Sequence, residues 1–128
     1  MIGTDKVLIA AYGTLRKGYG NSRLLDFGDN WIGTGKTVEK YQLKESGIPY
    51  VNKTADTQIT IDLWEIDSSV LPNIDSLEGY NPNNHDGSWY KRELIPVKVK
   101  DKEYNAWLYF NNGGETIIKS GDYKDYRR

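Results

Sequence analysis

Apolar and polar positions follow two periods along this chain, and the shorter one covers more of it. Residues 7–11 are a continuous apolar run and predict a buried strand. Within 58–66, Ile59, Ile61 and Leu63 alternate with Thr60, Asp62 and Trp64, the period of two of a half-buried strand. A strand across 89–100 puts Ile95, Val97 and Val99 on one face. Beyond Lys100-Asp101-Lys102, a strand over 103–110 sets Tyr104, Ala106, Leu108 and Phe110 against Trp107 and Tyr109. Residues 31–43 predict irregular strands, and 47–51 a turn into a short strand. The helical period occurs twice. Leu24, Leu25 and Phe27 fit a short helix within 19–27. Val70, Leu71, Ile74 and Leu77 form one helical face, with Ser68 as N-cap, Pro72 in the first turn and Gly79 as the stop. Residues 80–88 read as a polar loop. This order predicts an α+β fold: a mixed, partly closed β-barrel or sheet with a few short helices, in one domain over residues 1–128.

Composition narrows the chemistry. Tyr (10), Trp (4) and Phe (2) give a folded, strand-rich balance. Seventeen cations against eighteen anions leave a net charge of -1, so no broad field favours nucleic acid or an anionic membrane. Cysteine is absent, which excludes disulfides, thiolate catalysis and Cys-based zinc sites. No apolar run approaches the ~20 residues that span a bilayer. With no basic-then-apolar leader, a soluble cytoplasmic protein is expected.

Four short patterns imitate known sites. Gly33-Thr34-Gly35-Lys36-Thr37 resembles the end of a phosphate-binding loop, but Asn30 stands where the first glycine belongs. The loop around Asp86-Gly87 resembles a calcium loop whose first ligand position is Pro82. His85 is the only histidine and sits among Asn, Pro and Gly, as a solvated residue would. Lys124, Arg127 and Arg128 read as a solvated tail interleaved with Asp122 and Asp125. No metal or cofactor is expected.

Two stretches carry candidate chemistry. In Tyr12-Gly13-Thr14-Leu15-Arg16 a strand ends in a tight turn, which presents successive backbone N–H groups as a nest for a carboxylate or oxyanion. A plain strand-to-helix turn is the other reading. In Ile74-Asp75-Ser76-Leu77-Glu78-Gly79, Glu78 sits at the carbonyl pole of the predicted helix, which disfavours an anion and raises its pKa. Glu78 is either an ordinary surface glutamate or the best available general base. Asp75 reads as a helix-surface or packing residue.

Taken together these stretches resemble the γ-glutamylcyclotransferase-like, or AIG2-like, family. The resemblance rests on Tyr12-Gly13-Thr14-Leu15 with Arg16, Asn21 and Leu24 after it, and on Ile74-Asp75-Ser76-Leu77-Glu78-Gly79. It continues through Tyr90-Lys91-Arg92, Trp107-Leu108-Tyr109 and Ser120-Gly121-Asp122-Tyr123, in family order from about residue 7 to 123. One departure is Ile61-Asp62, where members place Gly-Glu; it implies a narrowed or reshaped pocket. The resemblance implies an enzyme without cofactor that releases 5-oxoproline and a free amine from a small γ-glutamyl amide, the substrate's own α-amine attacking its γ-carbonyl. Glu78 would be the catalytic acid–base. Tyr12, Gly13, Thr14 and Leu15 would bind substrate. Tyr109 would hydrogen-bond the reacting group or hold Glu78. Tyr90 would be core or pocket wall, and Arg92 would pair with a substrate carboxylate or form a structural salt bridge. The alternative is a non-catalytic binding or interaction protein on the same fold.

Overall fold

Lys100 and Asp101 both take left-handed backbone angles, φ 51° and 67°. Two such residues in succession make the tight turn whose twist matches that of the flanking strands. They join β6 (Lys91–Val99) to β7 (Lys102–Phe110), paired from Lys91–Phe110 to Val99–Lys102. The computed structural model describes residues 5–28, 30–84 and 86–125. His85, Arg127 and Arg128 lie outside them.

The hairpin is part of a five-stranded barrel with β1 (Lys6–Ala11), β2 (Trp31–Thr37) and β5 (Thr60–Asp67), in the order β1-β5-β2-β6-β7. The barrel is closed rather than partly closed. β1 meets β7 in parallel at Ile9 and Trp107, and the other neighbours run antiparallel. A second sheet has the order β4-β3-β8, from β3 (Tyr41–Glu45), β4 (Pro49–Thr57) and β8 (Thr116–Ile117). The short strand expected near residue 49 thus runs nine residues. Gly33–Thr37 lies within β2, not in a phosphate-binding loop. The segment within 19–27 forms only a 3-10 turn, Gly20–Leu24. No helix of the described residues is long and apolar enough to cross a membrane.

Alternation along the strands builds two apolar clusters. Ala10, Ile61, Leu63, Val97, Ala106 and Leu108 belong to the first, joined by Tyr41, Leu43 and Val51 of the second sheet. The opposite faces of β1, β5 and β7 supply Ile9, Ala11, Trp64, Ile66 and Tyr109 to the second. Ile74 of α1 (Leu71–Leu77) covers that second cluster, with Leu25, Tyr50 and Tyr90. β5 is therefore buried on both faces, not half-buried: Thr60, Asp62 and Trp64 are 7%, 1% and 0% exposed. A strand with covered faces on both sides loses the solvent side that alternation implies.

The helix departs from its apolar pattern. Ser68 is not an N-cap but the first residue of a 3-10 turn, Ser68–Val70, that precedes α1. Leu77, expected on the core face, is 46% exposed, while Asp75 is 4% exposed. The inward positions are 71, 74, 75 and 78, the spacing of one helical face, and two of them are acidic.

Candidate active site

The second cluster leaves a cavity of about 230 Å³ where the end of β1 faces β7 and the end of α1. Its lining includes Tyr12, Gly13, Thr14, Leu15, Glu78, Tyr90 and Tyr109, so seven of the eight residues singled out in the sequence meet at one place.

The turn after β1 is shaped from both sides. Gly13 is buried, and a Cβ there would stand 2.3 Å from the Pro49 ring. Close approach, not a left-handed angle, requires glycine at this position. The Gly13 carbonyl accepts the Arg16 N–H at 2.9 Å, closing the turn. Neither the Gly13 nor the Leu15 amide donates a hydrogen bond within the described residues. From below, the turn is held by Arg16, 1% exposed. Its Nε lies 3.0 Å from Asp62 Oδ2 and its Nη1 2.7 Å from Asp122 Oδ1. Asp62 also accepts the Lys17 N–H at 2.9 Å and the Thr34 hydroxyl. Ile61 and Asp62 do not line the cavity, so the departure from Gly-Glu acts beneath the turn and not on the pocket's width. Asp122, of the Ser120-Gly121-Asp122-Tyr123 motif, is an anchor for Arg16.

Glu78 closes α1. Gly79 takes φ 65°, and the Gly79 and Tyr80 amides donate back to the Ser76 and Asp75 carbonyls at 3.2 and 2.8 Å. This αL stop fixes the backbone of Glu78 at the helix end. No hydrogen bond to its side chain is present among the described residues. Burial pushes its pKa from the usual 4.5 to about 7. Its charge in turn adds to the raised pKa values of Tyr12, Tyr90 and Tyr109, each of which owes most of its rise to burial.

The tyrosine hydroxyls are committed. Tyr12 donates to the Tyr109 carbonyl at 2.6 Å, and Tyr90 to the Pro49 carbonyl at 2.6 Å. Tyr109 donates to Asp75 Oδ1 at 2.6 Å, so it holds Asp75 rather than Glu78. Arg92 does not line the cavity. Its Nε forms an ion pair with Asp75 Oδ1 at 2.9 Å, and its guanidinium lies 4.3 Å from the Trp107 ring centre and 5.1 Å from that of Tyr80. Of the two readings the sequence left open for Asp75, helix surface or packing, the structure takes the second. The spacing of Asp75 from Leu71, Ile74 and Glu78 is the signal that places it inward. Among the described residues, no group of three or more His, Asp or Glu side chains is placed to hold a metal ion.

Similarity to known proteins spans most of the chain. A family model described as Gamma-glutamyl cyclotransferase, AIG2-like, matches residues 9–125. A Methanocaldococcus jannaschii protein named "Putative gamma-glutamylcyclotransferase" is 37% identical over 122 residues, spanning 93% of this chain and 97% of its own. The crystal structure of a Pyrococcus horikoshii protein, described as uncharacterized, aligns with a TM-score of 0.69 at 28% identity, covering 94% of this chain and 92% of that one. An AIG2-like protein of Mus musculus shares the fold, with a TM-score of 0.68 at 23% identity over 84% of this chain and 78% of that one. With the matched residues running from the middle of β1 to the turn that anchors Arg16, the chain belongs to the gamma-glutamyl cyclotransferase, AIG2-like family.

Proposed function

We propose that this protein converts a γ-glutamyl amide into 5-oxoproline and a free amine, with Glu78 as general base and then general acid. The substrate's α-nitrogen attacks its own γ-carbonyl carbon. The new C–N bond closes the five-membered ring as the bond to the departing amine breaks. Glu78 takes one proton from the α-ammonium before attack and a second from the ring nitrogen after it, and passes each to the departing nitrogen; the lactam keeps one N–H and the amine leaves as an ammonium, so no proton is gained or lost overall.

The observation that carries this reading is a carboxylate with pKa about 7 in the wall of a cavity opposite a turn with undonated amides. An ordinary glutamate is too weak a base to take a proton from an ammonium near neutral pH; one poised near 7 is better matched. Positioned proton transfer contributes about 10²–10⁴-fold. Holding the glutamyl chain in a cyclic near-attack shape supplies the remainder. The Gly13, Thr14 and Leu15 backbone grips the glutamyl end. Tyr12, Tyr90 and Tyr109 wall the cavity as protonated phenols. Arg92 serves by holding Asp75 and, through it, Tyr109. The raised pKa of Glu78 supports turnover over a purely binding role.

The test is 5-oxoproline release from a panel of γ-glutamyl amides by wild type and Glu78→Gln. Release by wild type and its loss in a folded Glu78→Gln variant are expected. Equal release by both proteins overturns the role of Glu78, and no release from any amide overturns the reaction.

A further inference from the structure

Arg16 stands one residue beyond Leu15 of the binding turn, yet its charge is buried. A buried ion cluster adds little net stability over apolar side chains of similar volume, because taking the charges out of water offsets their attraction. What it fixes is geometry. A guanidinium is a rigid plane, and one held at two of its nitrogens is free neither to shift nor to rotate. Asp62 holds Arg16 at Nε and Asp122 holds it at Nη1. The Arg16 N–H closes the turn on the Gly13 carbonyl, so its backbone belongs to that turn. Arg16, Asp62 and Asp122 do not line the cavity.

Asp122 is itself held. Its Oδ1, the atom that takes Arg16, also accepts the Lys124 N–H at 2.9 Å. Its own N–H donates to Ser120 Oγ at 3.2 Å. The Gly121 carbonyl accepts the Thr60 N–H at 2.8 Å, which seats this motif on the start of β5. Gly121 takes φ 76°, and a Cβ there would collide with the Gln58 carbonyl oxygen. The buried Tyr123 ring lies 5.9 Å from that of Tyr19, whose N–H donates to the Arg16 carbonyl at 3.0 Å. The binding turn is therefore gripped from the last motif at two points, Arg16 and Tyr19.

We propose that Asp122, acting through Arg16, is a positioning residue that aims the Gly13 and Leu15 amides at a carboxylate on the glutamyl end of the substrate. The role rests on the cyclotransferase reading above. Charge and position act in opposite directions here, which makes the role separable. Removing an anion from beneath the turn would by charge alone tighten a bound carboxylate. Losing the aim of the amides weakens it, because a hydrogen bond falls off steeply with angle.

The test uses 5-oxoproline and 2-pyrrolidinone, which share a lactam ring and differ only in the carboxylate. Each is titrated into folded wild type and Asp122→Asn and followed by NMR shifts. Wild type should bind 5-oxoproline more tightly than 2-pyrrolidinone. Asp122→Asn should weaken 5-oxoproline about tenfold and leave 2-pyrrolidinone within about twofold. It should also raise KM for γ-glutamylmethylamide more than it lowers kcat. Arg16→Lys, which keeps the charge but not the planar fork, should show the same selective loss. Equal wild-type affinity for the two lactams overturns the positioning role and leaves the cyclotransferase standing. So does a variant that weakens both equally, weakens neither, or tightens 5-oxoproline. No 5-oxoproline from γ-glutamylmethylamide in wild type overturns both.

Discussion

Two carboxylates three residues apart on one short helix meet opposite fates. Asp75 has an ion pair and a tyrosine hydroxyl, whereas Glu78 has burial without a side-chain partner. The pKa of Glu78 is raised above its usual value, so its ionised form is disfavoured in the fold. The resulting penalty is absent below about pH 4.5 and complete above about pH 7. Glu78→Gln should therefore unfold at higher denaturant than wild type at alkaline pH, by up to about 3 kcal/mol, with the difference vanishing in acid. Asp75→Ala removes the partner of a nearly buried guanidinium and should cost about 3–5 kcal/mol in denaturant unfolding. The placing of Glu78 at the end of α1 was legible in the sequence, since Gly79 marks the stop. Asp75 was not: its partners Arg92 and Tyr109 lie far along the chain, and a carboxylate's burial is set by what it meets.

At the scale of elements, the turn after β1 and the end of α1 work as a pair across the cavity. Pro49 packs on Gly13 and its carbonyl accepts the Tyr90 hydroxyl, so the start of β4 sets both the turn and one wall. Gly13→Ala drives a methyl group into that ring. It should cost about 1–3 kcal/mol by overpacking, and should lower kcat/KM beyond what the stability loss explains. The strands and their facing were readable from alternation except at β5. There Thr60 and Asp62 looked solvent-facing because period two reports polarity and not what covers a face. Leu77 was misread for the same reason. Apolar spacing assigned it to the core, while the inward face takes Asp75 and Glu78 and leaves Leu77 at the cavity mouth.

Across the whole molecule, one buried cation ties three distant parts of the chain together. Arg16 follows β1, Asp62 lies in β5, and Asp122 stands near the end of the described chain. The ordered motifs were enough to name the fold family, yet nothing local shows that the first and last motifs meet through this contact. Asp62→Ala should be the more damaging of two changes here at about 3–5 kcal/mol, since it takes the buried partner from a fully buried guanidinium and releases the Lys17 amide. Asp122→Asn, at a partly exposed partner, should cost less in the same thermal or denaturant unfolding experiment.

The central claim is that Glu78 moves the proton in a cyclisation. The most direct measurement is the pH profile of kcat/KM for 5-oxoproline formation, from about pH 5 to about pH 9, in wild type and Glu78→Gln. The account predicts a rise with a midpoint about 7 in wild type, and a loss of about 10²-fold or more in the variant at every pH. A rise that persists unchanged in Glu78→Gln would contradict it.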